Sequence, residues 1–535
     1  MKKLNIYTVV FSLLVLGGCS DFLETESLSN STVDNYYKTP EQAYNALVGC
    51  YDGVQALWSS GVSFPVASEV LSDNAFGGTG YSDGYGYQLL DEFDKSRSPS
   101  DLNMFNNNWI AYYKAIYRCN ILLQKLDDVE WGTDADLRNI YEAEARFLRA
   151  YMYFDMVRLW GNVPLLTEPS TENLPQATPQ EVYAQIAEDL KFATENLEAK
   201  SYASQSSSER GRVTKWAAES LIGRVYLYYT GYYGASDLAG VISKTQALAY
   251  LEDVIANSGH GLVETYANLW PAASGTNYAK EDNKETVFAI KYTYTSDYTT
   301  GNDDGNKWLV MLGMRNYSSY PYGKGWGGVT VNPNLWDAYS STDTRKAASI
   351  ISIEDENIAF DQQADQREYT GYYNKKYTPM INLNGESVSA ELASELGLNS
   401  DFQISQFQDY VVIRYADVLL MAAELGSSSA QNYFDQVRER AYGDDFVQIP
   451  ITQQSIMNER RLEFAFEGIR YWDLLRQGVD VAANTIAETT QVLNGGVETT
   501  KTITASKIQE TKGLQQIPNT QVSLSNGVLK QNNGW

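Results

Sequence analysis

The sequence predicts a mainly α-helical protein, a tetratricopeptide-like scaffold of helix pairs carrying an irregular, loop-rich insertion with short β-strands. Three observations lead there. Apolar residues recur at spacings of three and four through a series of long stretches, as on a helix with one buried face. The stretches follow one another with short connections, and a helical repeat buries its apolar stripe only against its neighbours. Between residues 266 and 404 the period is lost, and β-like runs such as "ETVFAIKYTYT" mix with loops of Gly, Asn, Asp and Tyr.

The chain begins with Lys2 and Lys3, an apolar run to Leu16, then Gly17, Gly18 and Cys19. That run is too short to cross a bilayer comfortably and ends in small residues before a cysteine. This is the pattern of an export signal over 1–18 whose Cys19 receives lipid. A polar tether over 19–39 leads to "TPEQAYNALVGCYDGVQALW", where Thr39 suits the N-cap and Pro40 the first helical position. Residues 62–102, rich in Gly, Ser, Asp and Tyr, are expected to break any helix. A second helix reads in "NNNWIAYYKAIYRCNILLQKL". A third sets Leu137, Ile140, Tyr141, Phe147, Leu148, Tyr151 and Phe154 at helical spacing before Gly161 and Pro164 stop it.

Further helices read at 179–198, with Thr178 as N-cap, at 212–233 and at 243–257. Ile222, Gly223 and Tyr226 match the small-residue core of a tetratricopeptide helix, where glycine allows close helix contact. Helices return in "DYVVIRYADVLLMAAELG" and "QSIMNERRLEFAFEGIRYWDLLRQG", which completes a scaffold over 40–265 and 405–480. Residues 481–535 read as an irregular segment packed on it.

A hydrophobic content of 43% supplies a core, while a net charge of −26 opposes binding to nucleic acid or to anionic lipid headgroups. Cys50 and Cys119 lie on apolar helical faces and are expected to be buried; they pair only if their helices pack side by side. His260 is the single histidine, expected to be exposed, so imidazole-based triads and His-rich zinc sites lack material. "GKGWGG" lacks the end of a phosphate-binding loop, and "GNDDGN" lacks the ligand spacing of an EF-hand. No cofactor or metal is expected.

Several segments together resemble the SusD/RagB family, the surface glycan-binding lipoproteins of Bacteroidota. They are the cysteine followed by "SDFLE", the "EARFLRAYMYFDMVRLWGNVPLL" helix, "YVVIRYADVLLMAAE", "ERRLEFAFEGIRYWDLLRQG", and an end similar to "IP...L..N..LKQN.GW". The resemblance covers nearly the whole chain after the signal. It implies a SusD-like scaffold of about four helix pairs, a lipid-anchored place on the cell surface at the outer membrane, a SusC-like TonB-dependent transporter as partner, and no catalysis. It also implies that Asp21, Glu24 and Glu26 help direct the protein outward.

Within that frame Glu459, Glu463 and Glu467, at i, i+4 and i+8 with Arg460, Arg461 and Arg470 nearby, read as ion pairs bracing helices. Trp109, Trp160, Trp216, Trp336, Trp472 and Trp270 read as packing residues. The binding face is sought where rings stand among glycines, because the C–H face of a pyranose lies against an aromatic ring. Two loops qualify, 72–88 and 307–328. Trp326, Tyr322, Trp308, Tyr81 and Tyr85 are the expected stacking rings; Asp73, Asn74 and Arg315 are the expected hydroxyl contacts. Two other classes compete: a surface glycoside hydrolase, which needs only a carboxylate pair, and the sugar-binding protein of a membrane importer, which needs two lobes of alternating strand and helix.

Overall fold

The structure is a computed structural model describing residues 36–96, 103–299 and 304–535. The signal, Cys19 and most of the tether lie outside the described residues. Helix α1 (Pro40–Gln55) opens with a capping box: Thr39 accepts from the Gln42 N–H, and the Gln42 side chain returns to the Thr39 N–H at 3.1 Å. The stretch expected to break any helix instead folds as α2 (Phe64–Val70), strand β1 (Ala75–Gly78) and α3 (Gly86–Asp91). Its glycines separate short elements rather than abolish them; Ser63 caps α2 and Pro65 lies in its first turn.

The long helices follow: α4 (Asn106–Lys125), α5 (Ala135–Trp160), α6 (Pro179–Asn196), α7 (Lys215–Tyr233) and α8 (Lys244–Asn257). Gly161 takes φ 69° at the end of α5, a conformation that stops a helix and favours glycine. Each helix packs on the next, α1 on α4, α4 on α5, and so on to α7 on α8. At the last contact a Cβ on Gly223 would lie 2.7 Å from Leu251, so glycine sets the helix spacing.

The insertion leaves and re-enters the array at one place. Strand β2 (Thr286–Ile290) begins it. Short strands β3 (Met314–Arg315), β4 (Lys324–Gly325), β5 (Gly328–Val331), β6 (Ile350–Ser352) and β7 (Tyr372–Asn374) lie within it, and β8 (Tyr410–Arg414) closes it by pairing antiparallel with β2. The expected helix at "DYVVIRYADVLLMAAELG" therefore starts late. Its β-branched run Val411, Val412, Ile413 is strand, and only α9 (Tyr415–Glu424) is helical. Helix α9 packs on α8, so the array continues across the insertion, and α10 (Ala430–Tyr442), not foreseen, packs on α9.

The second returning helix is two, α11 (Gln453–Glu463) and α12 (Arg470–Leu475), separated where Phe466 and Gly468 take positive φ. The C-terminal segment is more regular than expected: helix α13 (Val479–Ile486) precedes a hairpin of β9 (Glu488–Asn494) and β10 (Val497–Ile503).

Glu459 and Glu463 of α11 and Glu467 just after it brace the core, but through partners distant in sequence. Arg414 of β8 donates to Glu467 at 2.7 Å and to Glu463 at 2.8 Å, Arg438 reaches Glu459 at 3.0 Å, and Lys376 donates to Glu467 at 2.7 Å. Arg460 turns the other way, to Asp417 at 2.6 Å and Asp473 at 2.7 Å. Trp109, Trp160, Trp216, Trp270 and Trp472 are buried, and Trp336 stacks on Tyr372 with ring centroids 5.0 Å apart. His260 is buried rather than exposed: its Nδ1–H donates to the Lys284 carbonyl at 3.1 Å, and burial holds its pKa down.

Candidate functional site

The loop richest in rings and glycines is built for close backbone contact. Strand β4 pairs parallel with β3, and a Cβ on Gly325 would fall 2.4 Å from the Val310 carbonyl and 2.5 Å from Gly313 Cα. Glycine lets these segments touch; the Trp326 N–H then donates to the Val310 carbonyl at 2.9 Å. Strand β5 runs on from there and pairs antiparallel with β1, Ala75 opposite Val331. Both partners carry left-handed residues that are not glycine, Thr79 at φ 79° and Val329 at φ 56°. Such positions cost on the order of 1–3 kcal/mol each, strain that this doubly paired ribbon holds in place.

Trp326 is half-buried and lines a cleft of about 400 Å³. Trp58, Ser59, Ser60 and Gly61, just after α1, line it as well, together with Tyr87, Tyr298 and Gln403. Tyr298 is the most open of these rings, at 69% exposure. Trp308 lines the floor by one edge; the rest of its ring packs edge-on against Trp58, at 6.4 Å, and Tyr410, at 5.8 Å. Burial pushes the Tyr87 hydroxyl up to about 12, so it is a neutral donor and acceptor at any physiological pH. Among the described residues the lining holds one charged side chain, Lys307, and no carboxylate.

The other expected site residues lie elsewhere. Tyr322, four residues before Trp326, is buried in a small core with Met314 and Tyr373, and its hydroxyl donates to Glu356 at 2.6 Å. Asp73 and Asn74 are interior: Asp73 is held by Arg470, and Asn74 donates to Glu69 at 3.1 Å. The structure thus removes Tyr322, Asp73 and Asn74 from the binding surface, and Trp308 serves as floor rather than as a displayed platform.

Arg315 is spent on Asp365 at 2.9 Å and Asp83 at 3.2 Å, which ties the first loop to the insertion. Tyr81 and Tyr85 stand about half exposed but do not line the cleft. One face of Tyr85 meets the Arg367 guanidinium, 3.8 Å from the ring centroid, and Tyr81 lies where any Cβ on Gly495 would strike it. Tyr87, Tyr298 and Trp58 were missed, although Tyr87 and Tyr298 sit in the same kind of Tyr–Gly–Asp loop that drew attention to the others.

Among the described residues, one group of three carboxylates is close enough to share a metal ion, Asp91, Glu92 and Glu368. The Lys501 ammonium already stands among them, 2.8 Å from Asp91, 3.0 Å from Glu92 and 2.5 Å from Glu368. The charge a cation would supply is thus supplied by the chain.

A helix-pair array interrupted by a looped insertion is the fold of SusD-like structures. Two family models match, one described as starch-binding associating with outer membrane over residues 21–227 and one as the SusD family over 361–535, and the chain belongs to this family. "SusD-like protein P25" of Formosa agariphila is 24% identical over 514 residues, 90% of each chain. A solved structure titled laminarin binding SusD-like protein is 29% identical with a TM-score of 0.72, covering 93% of this chain and 100% of that one. Surface glycan-binding protein A from Bacteroides thetaiotaomicron, in complex with laminarihexaose, shares the fold at a TM-score of 0.73 and 24% identity, over 93% and 100% of the two chains.

Proposed function

We propose that this protein is a cell-surface lipoprotein that captures an oligo- or polysaccharide and delivers it to a SusC-like TonB-dependent transporter in the outer membrane. The observation that carries the reading is the cleft lined by Trp326, Tyr298 and Tyr87, with Trp58 and Trp308 buried against it. It offers rings to the C–H faces of sugars and serine hydroxyls and Gln403 to their oxygens. A lining with one cation and no described carboxylate suits a neutral glycan better than a charged one. It also gives a two-carboxylate hydrolase nothing to work with at that place. The laminarin-binding relative supports a neutral glucan as the first ligand class to try.

Calorimetry of the purified protein against laminarin, starch and other neutral glycans tests capture; saturable binding to at least one is expected, without new reducing ends on prolonged incubation. Failure to bind any of them, or release of reducing ends, overturns the reading. Delivery is tested separately. The proposed partner supplies the pore through which a captured glycan would pass. A tagged copy purified in mild detergent from its native membrane is expected to bring down a large β-barrel partner through an interface above about 1,000 Å². Recovery alone leaves a freestanding surface binder.

A further inference from the structure

Two thiols take no part in the cleft. Cys50 on α1 and Cys119 on α4 are both wholly buried. The two helices run antiparallel, and their contacts fix the register. The Val62 N–H donates to Asn108 at 3.0 Å, Trp58 donates to Tyr112 at 3.3 Å, Gly53 faces Ala115, and Arg118 donates to the Gly49 carbonyl at 2.8 Å. Each step back along α1 is a step forward along α4, and the pair next in line is Cys50 with Cys119. The helices also approach unusually closely there. A Cβ on Gly53, one turn from Cys50, would lie 2.9 Å from the Ala115 Cβ, and a disulfide needs such closeness, with Cβ atoms about 3.5–4.5 Å apart. The Cys119 thiol bears directly on that of Cys50 and, together with burial, holds it protonated.

We propose that Cys50 and Cys119 are joined by a disulfide in the exported protein. The inference rests on the export reading of residues 1–18, since a reducing compartment keeps thiols apart. With both sulfurs wholly buried in the folded state, out of reach of an oxidising protein, oxidation belongs to the incoming, unfolded chain. One cysteine, as thiolate, attacks a sulfur of an oxidising protein disulfide and displaces its partner sulfur as thiolate. The second cysteine thiolate attacks the resulting mixed disulfide, and two electrons leave on the oxidant, now a dithiol, while the two cysteine protons pass to solvent and thence to it. The link closes a covalent ring over residues 50–119, a stretch that includes Trp58, Ser59, Ser60, Gly61 and Tyr87 of the cleft lining.

The test uses the protein from its native membrane fraction, prepared without reductant, unfolded in guanidinium with a maleimide and digested for mass spectrometry. Peptides linked through Cys50 and Cys119 are expected, with neither residue alkylated until reductant is added, and reduction is expected to lower Tm by a few degrees. Alkylation of both thiols in membrane-fraction protein overturns the disulfide while leaving export intact. Absence of the protein from that fraction overturns the export reading and the disulfide with it. A second arm refolds the chain in oxidised and reduced glutathione; failure to form the Cys50–Cys119 link there shows that the helices do not bring the sulfurs together and overturns the proposal in any compartment.

Discussion

Arg470 grips Asp73 through two parallel hydrogen bonds, Nε to Oδ1 at 2.7 Å and Nη2 to Oδ2 at 2.9 Å, and Arg461 closes on the same carboxylate at 3.1 Å. The contact welds the turn between α2 and β1 to the two helices α11 and α12. Burial alone would raise the Asp73 pKa; the two arginines reverse that and hold it below the usual carboxylate range. Removing one partner from such a buried pair costs about 3–5 kcal/mol. Asp73→Ala is therefore expected to lower the urea midpoint strongly, while the folded fraction keeps its glycan affinity. A loss of affinity at unchanged stability would return Asp73 to the binding site.

Trp326 and Tyr322 separate platform from packing within one loop. Trp326→Ala is expected to weaken glycan binding by about 1–3 kcal/mol. Tyr322→Phe, which deletes only the bond to Glu356, should leave affinity unchanged. Titration calorimetry on both variants checks the contrast, and equal effects would contradict it.

Acid should loosen the scaffold. Asp417 is buried between Arg460 and Arg224, and Glu463 among Arg440, Arg414 and Arg345; burial raises both carboxyls, but the arginines win and bring each to about 2. A carboxyl depressed on folding stabilises above its unfolded pKa, near 4, and that contribution disappears as pH falls through the folded value. Each is worth on the order of 2–3 kcal/mol. The contribution of these two carboxyls should be level above about pH 5 and fall between about pH 4 and 2. Urea titrations in that window check the sign; Asp417→Asn should be less stable at neutral pH and less sensitive to acid.

Gly223 tests helix spacing. Gly223→Val drives a branched side chain into Leu251 and should destabilise by about 1–3 kcal/mol. Leu251→Ala in the same chain should recover part of the loss, because the space is then open. A Gly223→Val protein with an unchanged melting temperature would show that α7 and α8 separate freely.

The proposed anchoring turns on Cys19. Cys19→Ala is expected to release the protein from the membrane fraction, as followed by immunoblot of fractionated cells. Retention would place the membrane attachment elsewhere.

The long helices were legible because their ends carry local chemistry: Thr39 and Thr178 cap α1 and α6 as their sequences indicate, and apolar spacing fixes the rest. Strand β8 was not, since Val411–Ile413 continues without a turn signal into α9, and only pairing with β2 makes it strand. The candidate cleft was legible in part. Ring and glycine density pointed to the loop that brings Trp326 to the cleft, yet Tyr322 and Trp326 differ there: Tyr322 is buried on Glu356, and Trp326 lines the cleft with Ser59–Gly61. Asp73 looked like a polar loop residue because the arginine that claims it stands 397 positions away.

Lys501 has a consequence for the order of events in time. It is the counter-charge for Asp91 and Glu368, two acids otherwise crowded together in the interior, and it lies 410 positions after Asp91. Burial and Glu368 both push the Asp91 carboxyl upward, so without the lysine this corner resists closing. The helical array can zip from neighbour to neighbour as soon as its helices exist, whereas β1 and its surroundings must await the hairpin near the end of the chain. A strand encoded within the first hundred residues is thus sealed among the last, and a chain clipped before residue 501 should retain its helices while this corner stays ajar.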